Sequence, residues 1–415
     1  MAFAYLFARF PSLTQTFCFR EVEEMRNQMG VMPVWSLTYP KDYSADCPVD
    51  LAQQVQYVPD HEELRQHFGS LRRMLGRVPW SVLWQIQRSR NRKGKYRLYE
   101  AAWLGPRLRA QGVTHVHTHF AGTGARTAWW LRELYGITYS FTGHANDMFC
   151  PNDDALTLQR LVADAAFVVT VSDFSKAWLF DQCPEDKEKI HRVYNGMSVG
   201  GRLAGETSLE VPTIISIGRA IEKKGFGDLI QACSILRSKG FTFRCQIIGG
   251  GPLEDKLASQ IAALGLGEVV ELTGALSQER VQSCLRQASL FVLPCVAEVD
   301  GGMDNLPTVI LEAMEAGLPV VSTRLAAVPE MVDHGVTGLL VEERQPEQLA
   351  DALGLLLQDS LKRESYGKAG RRLAQERFSV EVTVEQLRSL VENALIADEP
   401  RPRRWTWRGP NTIRP

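Results

Sequence analysis

The feature that most constrains this chain is an alternation of short β-rich runs with helical periodicity, carried almost from end to end and made twice over. The first series is FAYLFA at the N-terminus, MPVWSLT from Met32, THVHTHF from Thr114, TYSFTGH from Thr138 and AFVVTVS from Ala166. The second is TIISIG from Thr213, TFRCQIIG from Thr242, VVELTG from Val269, LFVLPC from Leu290, PVVST from Pro319 and GLLVE from Gly338. Such patterning builds parallel sheets covered by helices. A chain of 415 residues, 45% apolar, exceeds one ordinary core and fills two of about 200 residues each.

The Gly-rich, polar stretch from Gly196 to Val211 is the natural boundary. The expected plan is an N-terminal α/β domain over 1–200 and a second over 211–375. A helix over 376–397 crosses back to the first, and an irregular tail follows over 398–415. Two such halves bring strand-end loops together in one cleft, where open α/β sheets bind ligands.

The net charge of -1 argues against nucleic acid as a partner. The charge is uneven: from His61 to Ala110 there are 12 Lys/Arg and 3 Asp/Glu, so that segment carries +9 and the remainder -10. Its mixture of basic residues with Trp80, Leu83 and Trp84 suits an anionic membrane surface, and equally a solvated helical face. The eight cysteines are scattered, without a CxxC pair, and read as reduced core thiols, Cys295 included. The start lacks the pattern of a signal peptide, and no apolar run approaches the roughly 18 residues of a membrane span. The expected location is cytoplasmic, with lateral contact to the inner face of the membrane.

The most informative stretch runs from Asp304 to Pro319. Pro307 suits the first turn of a helix, Gly317 its end, and Pro319 the opening of the next strand, which predicts a helix over 307–316. It follows a long loop after a buried strand, so its positive end is placed for phosphate. Thr308 and Glu312 share one face of it. A second loop, after the strand TIISIG, holds Arg219 and Lys224, two cations suited to a departing diphosphate. Gly249, Gly250 and Gly251 end a third strand, where missing side chains admit close backbone approach.

Each feature has a plainer reading. Arg219 and Lys224 alone are more often solvated charges, and GGGP alone is a tight turn. Glu312 could be a surface residue, although its helix is otherwise apolar. His115, His117 and His119 alternate on one strand face, which invites a metal; a polar strand face is the simpler account. No DxD pair offers a metal site. His144, just before Asp147 at a strand end, suits a site residue or a loop histidine.

Taken as a set, GRAIEKKG, the GGGP after a strand, and an acid seven residues before the Glu of LEAM resemble the retaining glycosyltransferases of family 4, which have the GT-B fold of two Rossmann-like domains facing across a cleft. FPSLTQTFCFREV, HTHF, FTGHANDMF, VSDFS and YNGM are similar to markers of the exopolysaccharide and colanic-acid members, so the likeness runs from about Phe3 to Phe378. It implies a metal-independent enzyme, without cofactor, that moves a hexose-type sugar from a UDP- or GDP-sugar to a saccharide or lipid-linked acceptor.

Donor contacts would come from Gly218, Arg219, Lys224, Gly249, Gly250, Asn305, Leu306, Pro307, Thr308 and Glu312. Arg219 and Lys224 would hold the diphosphate and Glu312 the ribose, while His144 and Asp304 would lie near the transferred sugar. Thr14, Gln15, Thr16, His119, Gly122 and Asp147 would face the acceptor. The chain departs from the family pattern at Asp304 (for Glu), Asn305 (for Gly) and Gln15 (for Glu). The first two bear on the donor sugar and on turnover, the third on the acceptor. Three alternatives stand beside this reading: a nucleotide-sugar-binding subunit without turnover, a natural-product glycosyltransferase with a small-molecule acceptor, and a nucleotide-sugar epimerase.

Overall fold

A computed structural model describes residues 2–12, 15–40, 47–68, 92–144, 146–149, 156–200, 211–299 and 301–397. Two separate parallel sheets form. The first has seven strands: β1 (Ala2–Arg9), β2 (Val34–Thr38), β3 (Val55–Tyr57), β4 (Val113–His119), β5 (Thr138–Gly143), β6 (Val168–Thr170) and β7 (Ile190–Arg192), in the spatial order β3-β2-β1-β4-β5-β6-β7. The second has six: β8 (Thr213–Ile217), β9 (Arg244–Ile248), β10 (Val270–Gly274), β11 (Leu290–Leu293), β12 (Val320–Thr323) and β13 (Gly338–Val341), in the order β10-β9-β8-β11-β12-β13.

All eleven runs expected from sequence are strands. The two that patterning does not reveal, β3 and β7, are three residues each and sit at the sheet's edges. In each sheet the order reverses beside the first strand, between β1 and β4 and between β8 and β11. Chain passing above and below the sheet parts at these points and leaves a crevice at the strands' carboxyl ends.

The central strands of the second sheet are buried on both faces, as in β11 and β12, where every residue is inaccessible, while the edge strand β10 is partly exposed. The first sheet keeps polar residues inside by pairing them across strands. His115 bonds the hydroxyls of Thr138 and Ser140, and His117 those of Ser140 and Thr142, at 2.8–3.0 Å. Burial drives His115 down to about 3 and His117 well below the usual imidazole value, so both are neutral hydrogen-bonding struts.

Three terminal helices follow the second sheet, Pro346–Gln358, Ser360–Phe378 and Val380–Ala397. The last returns to the first lobe, where Val384, Leu387 and Val391 share a core with Phe3, Tyr5 and Phe7. At the crossing, Met197 N–H donates to the Phe378 carbonyl (2.9 Å) and Val380 N–H to the Met197 carbonyl (2.8 Å). Gly196 permits this contact, because a Cβ there would stand 2.3 Å from Thr383 Oγ1 and 2.7 Å from Val380 Cα. The rest of the expected linker, residues 201–210, lies outside the described residues.

Candidate active site

The loop after β8 and the loop after β11 meet over one carboxylate. Asp304 is ion-paired to Lys224 through one oxygen and to Lys223 Nζ through the other at 3.2 Å. Burial would raise its pKa, but Lys224 and Lys223 outweigh burial and hold it below the usual carboxylate range. The Lys224 stem runs over Gly218, where a Cβ would stand 3.1 Å from its Cδ and Cε. Arg219, next in the loop, is exposed. Lys223 and Lys224 against one carboxylate leave one positive charge at this point.

The helix that follows spans Thr308–Glu315, one residue shorter at each end than expected, with buried Pro307 at its N-cap. No side chain caps it, as suits a phosphate-facing end. Leu306 belongs to the core of the second lobe and positions this turn by packing. Thr308 is partly exposed. Glu312 faces Arg20 of the first lobe's Thr16–Met29 helix at 3.5 Å across the cleft. Burial raises the Glu312 carboxyl and Arg20 partly offsets that. A cavity of about 220 Å³ lies against Arg20, Gln282, Glu312 and Glu315.

The glycines after β9 serve mainly the protein itself. A Cβ on Gly249 would meet the Gly218 carbonyl oxygen at 2.0 Å, with φ of +127°, and one on Gly251 would meet the Ala220 backbone at 2.7–2.8 Å. Both glycines let the β9 loop press on the cation loop, an arrangement sealed by Ala220 N–H donating to the Gly250 carbonyl at 3.0 Å. Gly250 is more open, its nearest contact being the Glu254 carboxylate at 3.4 Å.

On the opposing lobe, His144 follows β5 and is buried against the rings of Phe17 and Phe120. Its Nε2 lies 3.1 Å from His119 Nδ1, and His119 Nε2 lies 3.0 Å from Glu21 Oε1. Tyr5 donates its hydroxyl to the same Glu21 oxygen at 2.8 Å. Burial alone would lower the His119 pKa, but Cys18 and Glu21 lift it well above the usual value. Burial also raises the Cys18 thiol, which His119 partly offsets. For His144, burial and then His119 push the pKa well down.

Glu21, His117 and His119 place ligand-type atoms within 4.8 Å of one another. Both nitrogens of His117 are nevertheless taken by hydroxyls, and both of His119 by Glu21 and His144.

Asn305 joins the lobes. It is 4% exposed, accepts from Ser172 Oγ at 2.8 Å and donates to the His144 carbonyl at 3.4 Å. Asp147 is committed to its own lobe, accepting the N–H of Ala121 at 2.8 Å and that of His144 at 3.2 Å, so it braces the cleft loops. Gly122 is the N-cap of the Thr123–Tyr135 helix, and Gln15 that of Thr16–Met29, where Thr16 is the first residue. Thr14 lies outside the described residues, as do Trp80, Leu83 and Trp84 of the basic segment.

The structure thus brings Lys224 onto Asp304, and Asn305 and His119 onto His144, while Glu312 meets Arg20 instead. Sequence reasoning missed Lys223, Arg20, Glu21 and Ser172, although doubled lysine in GRAIEKKG and the runs FREV and VSDFS were in view. These features define a class: a two-lobed α/β protein whose sheets open on a shared, charged cleft. Residues 205–373 match the model of the glycosyl transferases group 1, and residues 60–199 that of Glycosyltransferase Family 4.

The amylovoran biosynthesis glycosyltransferase AmsK of Erwinia amylovora is 37% identical over 288 residues, 68% of this chain and 70% of that protein. The putative colanic acid biosynthesis glycosyltransferase WcaL of Escherichia coli is 36% identical over 214 residues, 51% of this chain and 52% of that protein. Among solved structures, HepE of Anabaena in complex with UDP superimposes with a TM-score of 0.71 over 95% of this chain and 100% of that one, at 16% identity, which shows a common GT-B fold. The chain belongs to the family-4 glycosyltransferases.

Proposed function

We propose that this glycosyltransferase moves a hexose-type sugar, with retention, from a UDP- or GDP-sugar to a saccharide or lipid-linked acceptor during surface polysaccharide assembly. The observation that carries this reading is the pair Lys223 and Lys224 fixed on Asp304 beside an uncapped helix N-terminus, with Arg219 exposed next to them. Fixed cations are strongest where negative charge grows, as on a departing diphosphate. Glu312 would accept the ribose hydroxyls once it exchanges Arg20 for them.

In this reading the departing phosphate takes the acceptor proton on the same face, and the lysines take the metal's part. The named relatives act in amylovoran and colanic acid biosynthesis, which supports a polysaccharide acceptor. A lipid carrier would bring the enzyme to the inner membrane face through the basic segment over 61–110.

A panel of nucleotide-sugars, assayed for nucleoside diphosphate release with saccharide and lipid-linked acceptors, tests the reading. Release from one donor with a glycosylated product supports it. Binding without release under any acceptor would identify a non-catalytic subunit, and a changed sugar still attached to nucleotide an epimerase.

A further inference from the structure

The chain Tyr5, Glu21, His119, His144 is continuous, its two histidines and Tyr5 buried and Glu21 partly so, and the donor-site reading gives neither Tyr5 nor Glu21 a part. Its last member has one ring nitrogen left over: Nε2 is taken by His119, while Nδ1 has no partner among the described residues. Which nitrogen carries the proton is decided upstream. Glu21 can only accept, so His119 must present Nε2–H to it. Whether His119 also carries a proton on Nδ1 then fixes the direction of the 3.1 Å bond to His144.

We propose that Glu21 and His119 are positioning residues that set the tautomer of His144, so that His144 offers an N–H donor at Nδ1 to the bound sugar or its phosphate. The proposal rests on the reading of this cleft as the transfer site. With His119 charged, its Nδ1–H donates to His144 Nε2, and the His144 proton resides on Nδ1. With His119 neutral, the bond reverses, and Nδ1 becomes a lone pair that repels phosphate oxygen and can only accept. One proton, one residue removed from the cleft, thereby inverts the polarity of the surface the substrate meets.

The groups facing His119 are Tyr5 from β1, Cys18 and Glu21 from the Thr16–Met29 helix, His117 on its own strand, and His144 with Asp147 from the loop after β5. Of these, burial raises Tyr5 and Cys18 and lowers His117 and His144. Cys18 and Glu21 lift His119, and Glu21 is the one that stands at hydrogen-bond distance from it, 3.0 Å.

The sign follows. The His119 pKa is raised, so the charge is present through neutral pH and lost as pH rises through that raised value; transfer should fall on the alkaline side. Long-range proton–nitrogen spectra of the histidine-labelled full chain read tautomers without any substrate, with His144→Gln identifying its signals. At neutral pH the expected result is His119 as imidazolium and His144 protonated at Nδ1, inverting together as pH rises.

Glu21→Gln should make His119 neutral and invert His144 at neutral pH. It should also lower kcat about 10- to 100-fold and shift the alkaline limb to lower pH. A wild-type His144 protonated at Nε2, or a Glu21→Gln chain with unchanged tautomer and pH profile, overturns the proposal. Should Glu21→Gln not fold, the wild-type titration alone decides. The expected spectra in a chain that releases diphosphate from no donor uphold the positioning chain and sink the transfer reading.

Discussion

At the residue scale, Asp304 and Asn305 show how a departure from family pattern can carry structural contacts of its own. Asp304, one methylene shorter than Glu, reaches both Lys223 and Lys224 and stays ionised despite burial. Asn305 supplies an amide where glycine has none, and that amide touches Ser172 and His144 on the other lobe. Lys224→Ala leaves Asp304 with one cation, and Glu312→Ala removes the carboxylate opposite Arg20. Each should cost about 2–4 kcal/mol of transition-state stabilisation, read as a fall in kcat/KM with the melting temperature little changed. Wild-type rates in either variant would overturn the donor-site assignment. The placement of Lys224 and Glu312 was legible because local signals sufficed: a strand end before a helix, and a charge in an apolar helix. The bridging role of Asn305 was not, since its partners lie 133 and 161 residues away in sequence. The same distance hid Arg20, 292 residues from Glu312.

At the scale of elements, β1, β8 and β11 were legible because buried parallel strands read as continuous apolar runs, and β4 and β5 because β-branched and aromatic residues mark a strand even with polar ones between them. The exceptions were three-residue edge strands, too short to show a period. The loop glycines were legible as loop formers but not in their purpose, which is to let two strand-end loops press together. Gly249→Ala is expected to destabilise the second lobe by about 1–3 kcal/mol and to weaken nucleotide binding, because the new methyl group collides with the Gly218 carbonyl beneath Lys224. Denaturant unfolding and a nucleoside diphosphate titration measure the two effects, and loss of neither would show that the loops have room to part. The His115 and His117 ladder makes a related point. Alternating histidines suggested a metal as readily as a polar face, and only the hydroxyls of β5 distinguish them.

At the scale of the whole molecule, the lobes are tied by more than the cleft. Glu330, from the second lobe's Val328–Met331 turn, accepts the N–H groups of Asp173 and Phe174 at 2.8–2.9 Å and the Tyr194 hydroxyl at 3.1 Å. A carboxylate from one lobe thus caps a helix of the other. Glu330→Ala should loosen the lobes at a cost of about 1–2 kcal/mol, seen as a broader interlobe distance distribution in solution scattering. An unchanged distribution would assign the lobe geometry to the Asn305 contacts instead.

The basic segment predicts salt-sensitive binding to anionic vesicles that weakens when Arg72, Arg73, Arg90 and Arg92 are neutralised. Equal binding to neutral vesicles would refute membrane attachment by charge. None of the described helices is long and apolar enough to cross a bilayer. The return of the Val380–Ala397 helix has a further consequence, for synthesis. One of the first lobe's two hydrophobic cores is encoded in two stretches separated by the whole of the second lobe. During translation that core therefore stays open on one side until residues 380–397 leave the ribosome, so the first lobe is completed only after the whole second lobe has been made.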